Sequence, residues 1–196
     1  MDSGTNEADV LAMERLQQGD DLALNEIMGR WKVPLASYLL RQLGSQEDAL
    51  DLAMETFVRV YESRHRYAPS ARFARWLFTI ATNLARNHVR WRQRHPEVPF
   101  ETDEDDKSSS LDRVVDDAPS ASGQLDGKER ARAVRQAIAG LPADLRTAIL
   151  LFEYEDFSHA EIAAVEGCSV KAVETRLYRA RQALEQKLAK WMELQR

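Results

Sequence analysis

The chain has 196 residues, a formal net charge of −5, 44% hydrophobic and 30% charged residues, and a single cysteine. That size and balance fit one large or two small soluble domains, and the longest uncharged run, Trp76 to Ala85, is half of the roughly 20 apolar residues that span a bilayer. Cys168 alone excludes an internal disulfide framework or a Cys-rich zinc site, and the four histidines form no HExxH or HxxxH pair.

In chain order, the first residues carry Asp2, Glu7 and Asp9 with no Lys or Arg, so no signal peptide is expected. The expected location is the cytoplasm. Helical spacing dominates and strand signals are absent. Gly19-Asp20 ends a first short helix, and Asp20 is placed to cap the next. That second helix, about 21–43, contains Pro34, which predicts a kink. Gly44 stops it and Ser45 caps a third, with Asp48 at the third helical position. The third helix, from Gln46 to about Arg64, puts Ala49, Ala53, Phe57 and Val60 on one side and the acidic Glu47, Asp48, Asp51 and Glu55 along another. Like charges at i, i+4 disfavour an isolated helix, and a basic partner relieves them.

From Ser63 to Pro96 there are eight arginines and no acid, interleaved with Tyr67, Phe73, Trp76, Phe78 and Trp91. Phe73, Trp76, Leu77, Ile80, Ala81 and Leu84 recur at three- and four-residue spacing, which suits a core. The arginines suit phosphates, and exposed aromatics stack on unpaired bases. Residues 96–126 read as an acidic flexible linker with ten acids against two bases; they cannot bury enough apolar surface to order themselves. The flanks are slightly basic, with 13 bases and 12 acids before it and 12 bases and 10 acids after it.

Beyond the linker a helix is expected around 128–139 and another at Pro142. Ser158-His-Ala-Glu161 is a capping box, Gly167 ends the short helix it opens, and Ser169 caps a longer one. Short helix, Gly turn, long helix is the helix-turn-helix pattern. On the long helix Val173, Leu177, Ala180 and Leu184 form an apolar stripe. Lys171, Thr175, Tyr178 and Gln182 lie opposite, flanked by Glu174 and Arg179, a face suited to a major groove. A plain helical hairpin with a solvated face shares this pattern.

Three segments together resemble the extracytoplasmic-function, or group IV, sigma factors of bacterial RNA polymerase. Asp48-Ala-Leu-Asp-Leu-Ala-Met-Glu-Thr-Phe57 is similar to the family's DAxDLxQExF, with Met54 in place of Gln. Phe73-Ala-Arg-Trp-Leu-Phe-Thr-Ile-Ala-Thr-Asn83 is similar to FxxWLxxIAxN. Cys168 to Arg181 is similar to CPxGTVxSRLxRAR, with Glu174 where Arg is frequent, and 157–163 is similar to LSYEEIA, with Asp156 just before it replacing a usual Gly.

The resemblance implies an all-α chain of two small helical domains, a region 2 bundle at 6–95 and a region 4 helix-turn-helix at 127–194. It implies Asp48, Asp51, Met54 and Glu55 as contacts to core polymerase, through its beta-prime and beta subunits. It implies Arg66, Arg72, Phe73, Asn83, Arg86 and Arg90 at the minus-10 element, with the 66–72 loop setting specificity. Ser169, Lys171, Glu174, Thr175, Arg176, Tyr178 and Arg179 would face the minus-35 element. It further implies promoter DNA and an anti-sigma factor as partners, no cofactor and no catalysis. A stand-alone helix-turn-helix regulator would explain 158–181 but leave the arginine-rich segment unexplained. An enzyme would need a clustered acid, base and nucleophile or a Gly-rich phosphate loop, and neither is visible; Glu153, Glu155, Asp156 and His159 read as a helix end and turn.

Overall fold

The computed structural model describes residues 3–69, 72–95 and 123–194. Among them the chain is helical throughout: α1 (Ser3–Gln17), α2 (Leu22–Leu43), α3 (Gln46–Glu62), a 3-10 turn (Arg64–Arg66), α4 (Phe73–Arg94), α5 (Gly123–Ala139), α6 (Ala143–Glu153), α7 (His159–Glu166) and α8 (Val170–Leu194). The expected punctuation is where helices break. Gly44 closes α2 at φ 76, a left-handed conformation that suits glycine. The Ser45 side chain accepts from the Asp48 N–H to open α3. Ser158 and Glu161 form the full capping box of α7, and Gly167 closes it at φ 66. α2 runs on through Pro34 without ending. The first helix, 15 residues long, is not short. α5 begins at Gly123, inside the segment read as linker; residues 96–122 lie outside the described ones.

The first four helices form one packed unit. Met13, Leu16, Ile27, Trp31, Leu35, Tyr38, Leu39, Phe57, Phe73, Leu77 and Phe78 are all buried in it. Its only deeply buried acid among the described residues, Asp9, accepts from Trp31 Nε1 at 2.9 Å and Arg30 Nε at 2.7 Å. A buried carboxylate needs such partners to offset its desolvation. The second unit packs α5, α6 and α7 on α8 through Leu150, Leu151, Ile162, Val165, Val173, Leu177 and Ala180. The units then pack on each other, α2 against α5 and α6, and α4 against α7.

Candidate nucleic-acid interface

α8 separates its two faces as the sequence predicts. Val173, Leu177 and Ala180 are sealed against the second unit. Lys171, Glu174, Thr175, Tyr178 and Arg179 are exposed, Tyr178 at 62%. Ser169 Oγ accepts from the Ala172 N–H at 3.2 Å, capping the first turn. The amphipathic register, with the cap fixing its start, orients this face outward. Arg176 departs from expectation. Its Nη1 donates to Glu166 Oε2 at 2.7 Å and to Cys168 Sγ at 3.3 Å, and its Nε lies 3.5 Å from Asp144 Oδ2. It turns inward and holds the turn of the motif, apart from the exposed side chains expected at the minus-35 element.

The arginine-rich helix is partly engaged. Arg66, Asn83 and Arg90 are exposed. Arg72 Nη1 donates to Glu161 Oε1 at 3.2 Å, and its guanidinium lies 5.4 Å from the centre of the Phe157 ring. Arg86 Nη2 donates to Glu166 Oε1 at 2.9 Å. Phe73 is fully buried, with ring centres 6.1 Å from Trp31, 5.8 Å from Tyr67 and 6.1 Å from Trp76. Expected at the minus-10 element, it offers no exposed surface in this arrangement. The loop between Tyr67 and Arg72 is described only in part, since residues 70 and 71 lie outside the described ones.

On α3, Leu50, Met54 and Val58 form an exposed apolar stripe at four-residue spacing. Glu47 and Asp51 are exposed beside it, and Glu55, half-buried, accepts from Arg59 Nε at 2.8 Å. Asp48 is clasped instead: Arg92 Nη1 donates to its Oδ2 at 2.8 Å, and His88 Nε2 lies 3.4 Å from its Oδ1. An acidic rim around an exposed apolar stripe suits a basic amphipathic partner.

Polar side chains that no sequence motif singles out carry much of the contact between units. Gln42 Nε2 donates to Tyr38 Oη at 3.1 Å and to Thr147 Oγ1 at 2.7 Å, and Tyr38 shares a 2.8 Å hydrogen bond with Thr82. Arg146 Nη1 donates to Gln42 O at 2.6 Å. Burial pushes the Glu166 carboxyl up, against the pull of Arg176 and Arg86. Burial also raises Glu155 to about 7, opposed by Arg41 across the contact and reinforced by Asp156. The Arg41 guanidinium sits 4.2 Å from the centre of the neighbouring Tyr154 ring.

Glu155 gives folding a pH dependence with a defined sign. Its folded pKa lies above the unfolded value, so the folded state binds the extra proton. The stability this confers is present below about 4.5 and is lost as pH rises through about 7. At 1.36 kcal/mol per unit the full swing is about 3 kcal/mol. Glu155→Gln is expected to flatten the fall and to be the more stable chain at pH 8. Urea unfolding of both at pH 5 and pH 8 checks it; parallel pH profiles would sink the assignment.

Among the described residues no group of three or more His, Cys, Asp or Glu is placed to hold a metal ion, and no helix is long and apolar enough to cross a membrane.

Two family models match the chain, "Sigma-70 region 2" over residues 27–95 and "Sigma-70, region 4" over 131–184. The chain is 33% identical over 184 residues to the RNA polymerase sigma-H factor of Pseudomonas aeruginosa, spanning 94% of this chain and 95% of that one. It is also 33% identical to the ECF RNA polymerase sigma-E factor of Haemophilus influenzae, spanning 92% and 95%. Among solved structures, CnrH in complex with the cytosolic domain of CnrY superimposes with TM-score 0.67 at 28% identity, over 93% of this chain and 98% of that one. The sigma factor RpoE in complex with the anti-sigma factor NepR from Bartonella quintana gives 0.62 at 26%, over 80% and 91%.

Proposed function

The chain belongs to the extracytoplasmic-function sigma factors of the sigma-70 family, and from that premise we propose that it is a dissociable, non-enzymatic subunit that brings core RNA polymerase to minus-10 and minus-35 promoter elements and helps to open the DNA. The carrying observation is that both family regions occur in order on one chain, each on its own packed unit. A stand-alone helix-turn-helix regulator would have no use for the acidic, apolar-striped α3 or the arginine-rich α4, so that reading is not favoured.

The proposed assignments follow from exposure. Region 2, about 6–95, would dock on polymerase through Asp51, Met54 and Glu55 with the Leu50–Val58 stripe, and Asp48 would keep the docking helix on α4 through Arg92. Arg66, Arg72, Asn83, Arg86 and Arg90 would meet the minus-10 element. Region 4, about 127–194, would read the minus-35 element with Lys171, Glu174, Thr175, Tyr178 and Arg179. A carboxylate at Glu174 would accept from a cytosine amino group, which a donor-only arginine cannot do, and this suits a base pair other than one read by Arg at that place. The segment 96–126 would be the tether, letting polymerase hold both modules on one promoter and raise their effective concentration. The chain would act in the cytoplasm, with the nucleoid when bound to polymerase. Two solved relatives are complexes with a second protein, one of them named as an anti-sigma factor. A protein inhibitor that covers the docking surfaces is therefore proposed as a further partner.

The experiment is binding to core RNA polymerase by gel filtration and fluorescence anisotropy, with Asp51→Arg as the variant. Asp51 is exposed, so its reversal leaves the Asp48–Arg92 clasp intact. Wild type is expected to co-elute and Asp51→Arg to bind at least about tenfold more weakly, a loss of about 1.4 kcal/mol. Wild type eluting apart from polymerase would sink the reading.

A further inference from the structure

The described ends of the 66–72 loop are both pinned by one helix, α1. At the start, Gln17 Nε2 donates to the Arg64 carbonyl at 2.7 Å and to the Tyr67 carbonyl at 3.0 Å. These two carbonyls bracket Arg66. At the end, Asn6 Oδ1 accepts from the Phe73 N–H at 3.0 Å, one residue after Arg72. This second bond meets a need that the local sequence leaves open. α4 opens with Arg72 at its N-cap, and that side chain makes no capping bond. A guanidinium has no acceptor to offer the free N–H groups that begin a helix. Asparagine carries one, and α1 lends it across 67 residues of chain.

The spacing on α1 suits this double hold. Asn6 and Gln17 are 11 residues apart. At 100° and 1.5 Å per residue they point within about 20° of one another and stand about 16 Å apart along the helix. Between them α1 is fastened to the bundle. Asp9, 1% exposed, accepts from Trp31 Nε1 and Arg30 Nε of α2, and Met13 and Leu16 are buried. The two held ends also meet in the core, where the Tyr67 ring lies 5.8 Å from Phe73 and 5.1 Å from Trp76. A backbone fixed on both sides leaves its arginines fewer conformations to lose on meeting DNA.

We propose that Asn6 and Gln17 are positioning residues for minus-10 recognition: α1 sets the backbone from which Arg66 and Arg72 reach the DNA, without contacting it itself. This rests on the functional reading above and adds two residues to it. Exchanging an amide for a carboxylate is then expected to have opposite outcomes at the two sites. Asn6 acts through an acceptor oxygen, so Asn6→Asp keeps the bond, and a carboxylate suits the positive end of α4. Gln17 acts through an N–H donor, so Gln17→Glu turns an acceptor toward two carbonyls and loses both bonds.

The test uses the full chain with core RNA polymerase and duplex pools randomised at the minus-10 or the minus-35 positions. Sequencing the bound DNA gives the preference for the best over the worst base at each position. Circular dichroism reads folding, and anisotropy with labelled protein reads affinity for core polymerase. Asn6→Ala, Gln17→Ala and Gln17→Glu are expected to cut the minus-10 preference by about fivefold or more, while Asn6→Asp stays within about twofold of wild type. The minus-35 preference and the affinity for polymerase are expected to hold in all four. Folded alanine variants that keep the wild-type minus-10 preference overturn the inference. So does a loss that falls equally on the minus-35 preference or on polymerase binding, since that marks a merely structural role. Asn6→Asp no better than Asn6→Ala, or Gln17→Glu as good as wild type, also overturns it. If one alanine chain unfolds, the other decides; if both unfold, the role is structural and the inference fails. Wild-type chain that selects no minus-10 sequence with polymerase would instead overturn the sigma reading, and the inference with it.

Discussion

Phe73→Ala is expected to cost the first unit about 4 kcal/mol, the range for truncating a fully buried aromatic. Phe73 has no exposure and sits among Trp31, Tyr67 and Trp76, while its backbone N–H donates to Asn6 Oδ1 at 3.0 Å, tying the start of α4 to α1. Removing the ring leaves a void bounded by rigid aromatic walls, which collapse poorly. Against a total stability of 5–15 kcal/mol, the loss is enough to populate unfolded chains at moderate temperature. Phe73→Leu keeps most of the volume and is expected to cost about 1.5 kcal/mol. Urea unfolding followed by tryptophan fluorescence measures both. Had Phe73 been a DNA contact, alanine would leave the unfolding midpoint unchanged and weaken promoter opening alone; that pair of results would overturn the packing assignment.

Phe73 also illustrates how far the sequence carried. Its spacing with Leu77 and Ala81 is that of a helix face packed on a core, and only its place in a motif suggested a DNA contact. The local signals were readable because each acts within a few residues: Gly44 and Gly167 as left-handed stops, Ser45 and Ser158 as caps, and the polar and apolar sides of α8. None of these needs knowledge of what packs where. The contact between the units was not readable for the converse reason. Arg86 and Glu166 are 80 residues apart, Arg72 and Glu161 are 89 apart, and Gln42 and Thr147 are 105 apart. No local propensity encodes such pairings. The composition also reads Arg72 and Arg86 as unopposed, since Ser63 to Pro96 contains no acid, whereas their acids arrive from the other end of the chain.

Arg176 and Arg179 are three residues apart on one helix, and the structure turns one inward onto Glu166 and leaves the other exposed. Arg176→Ala is expected to destabilise the second unit by about 3 kcal/mol, because it strands Glu166, whose side chain has no exposure, without its partner inside the unit. Arg86 still reaches Glu166, but only while the units stay packed, so the penalty is largest when the units are apart. Arg179→Ala, on the exposed face, is expected to shift stability by less than about 0.5 kcal/mol and to weaken minus-35 recognition by about 1–3 kcal/mol if it reads a base edge. Chemical denaturation separates the first effect, and polymerase-dependent binding to promoter duplexes with altered minus-35 sequence separates the second. Placing Glu166→Gln in the Arg176→Ala chain removes the stranded charge and is expected to recover part of the lost stability, an interaction energy of the sign that a buried ion pair requires. Normal stability with lost minus-35 recognition in Arg176→Ala would return that arginine to the DNA face. Additive losses in the double variant would show that Glu166 does not need it.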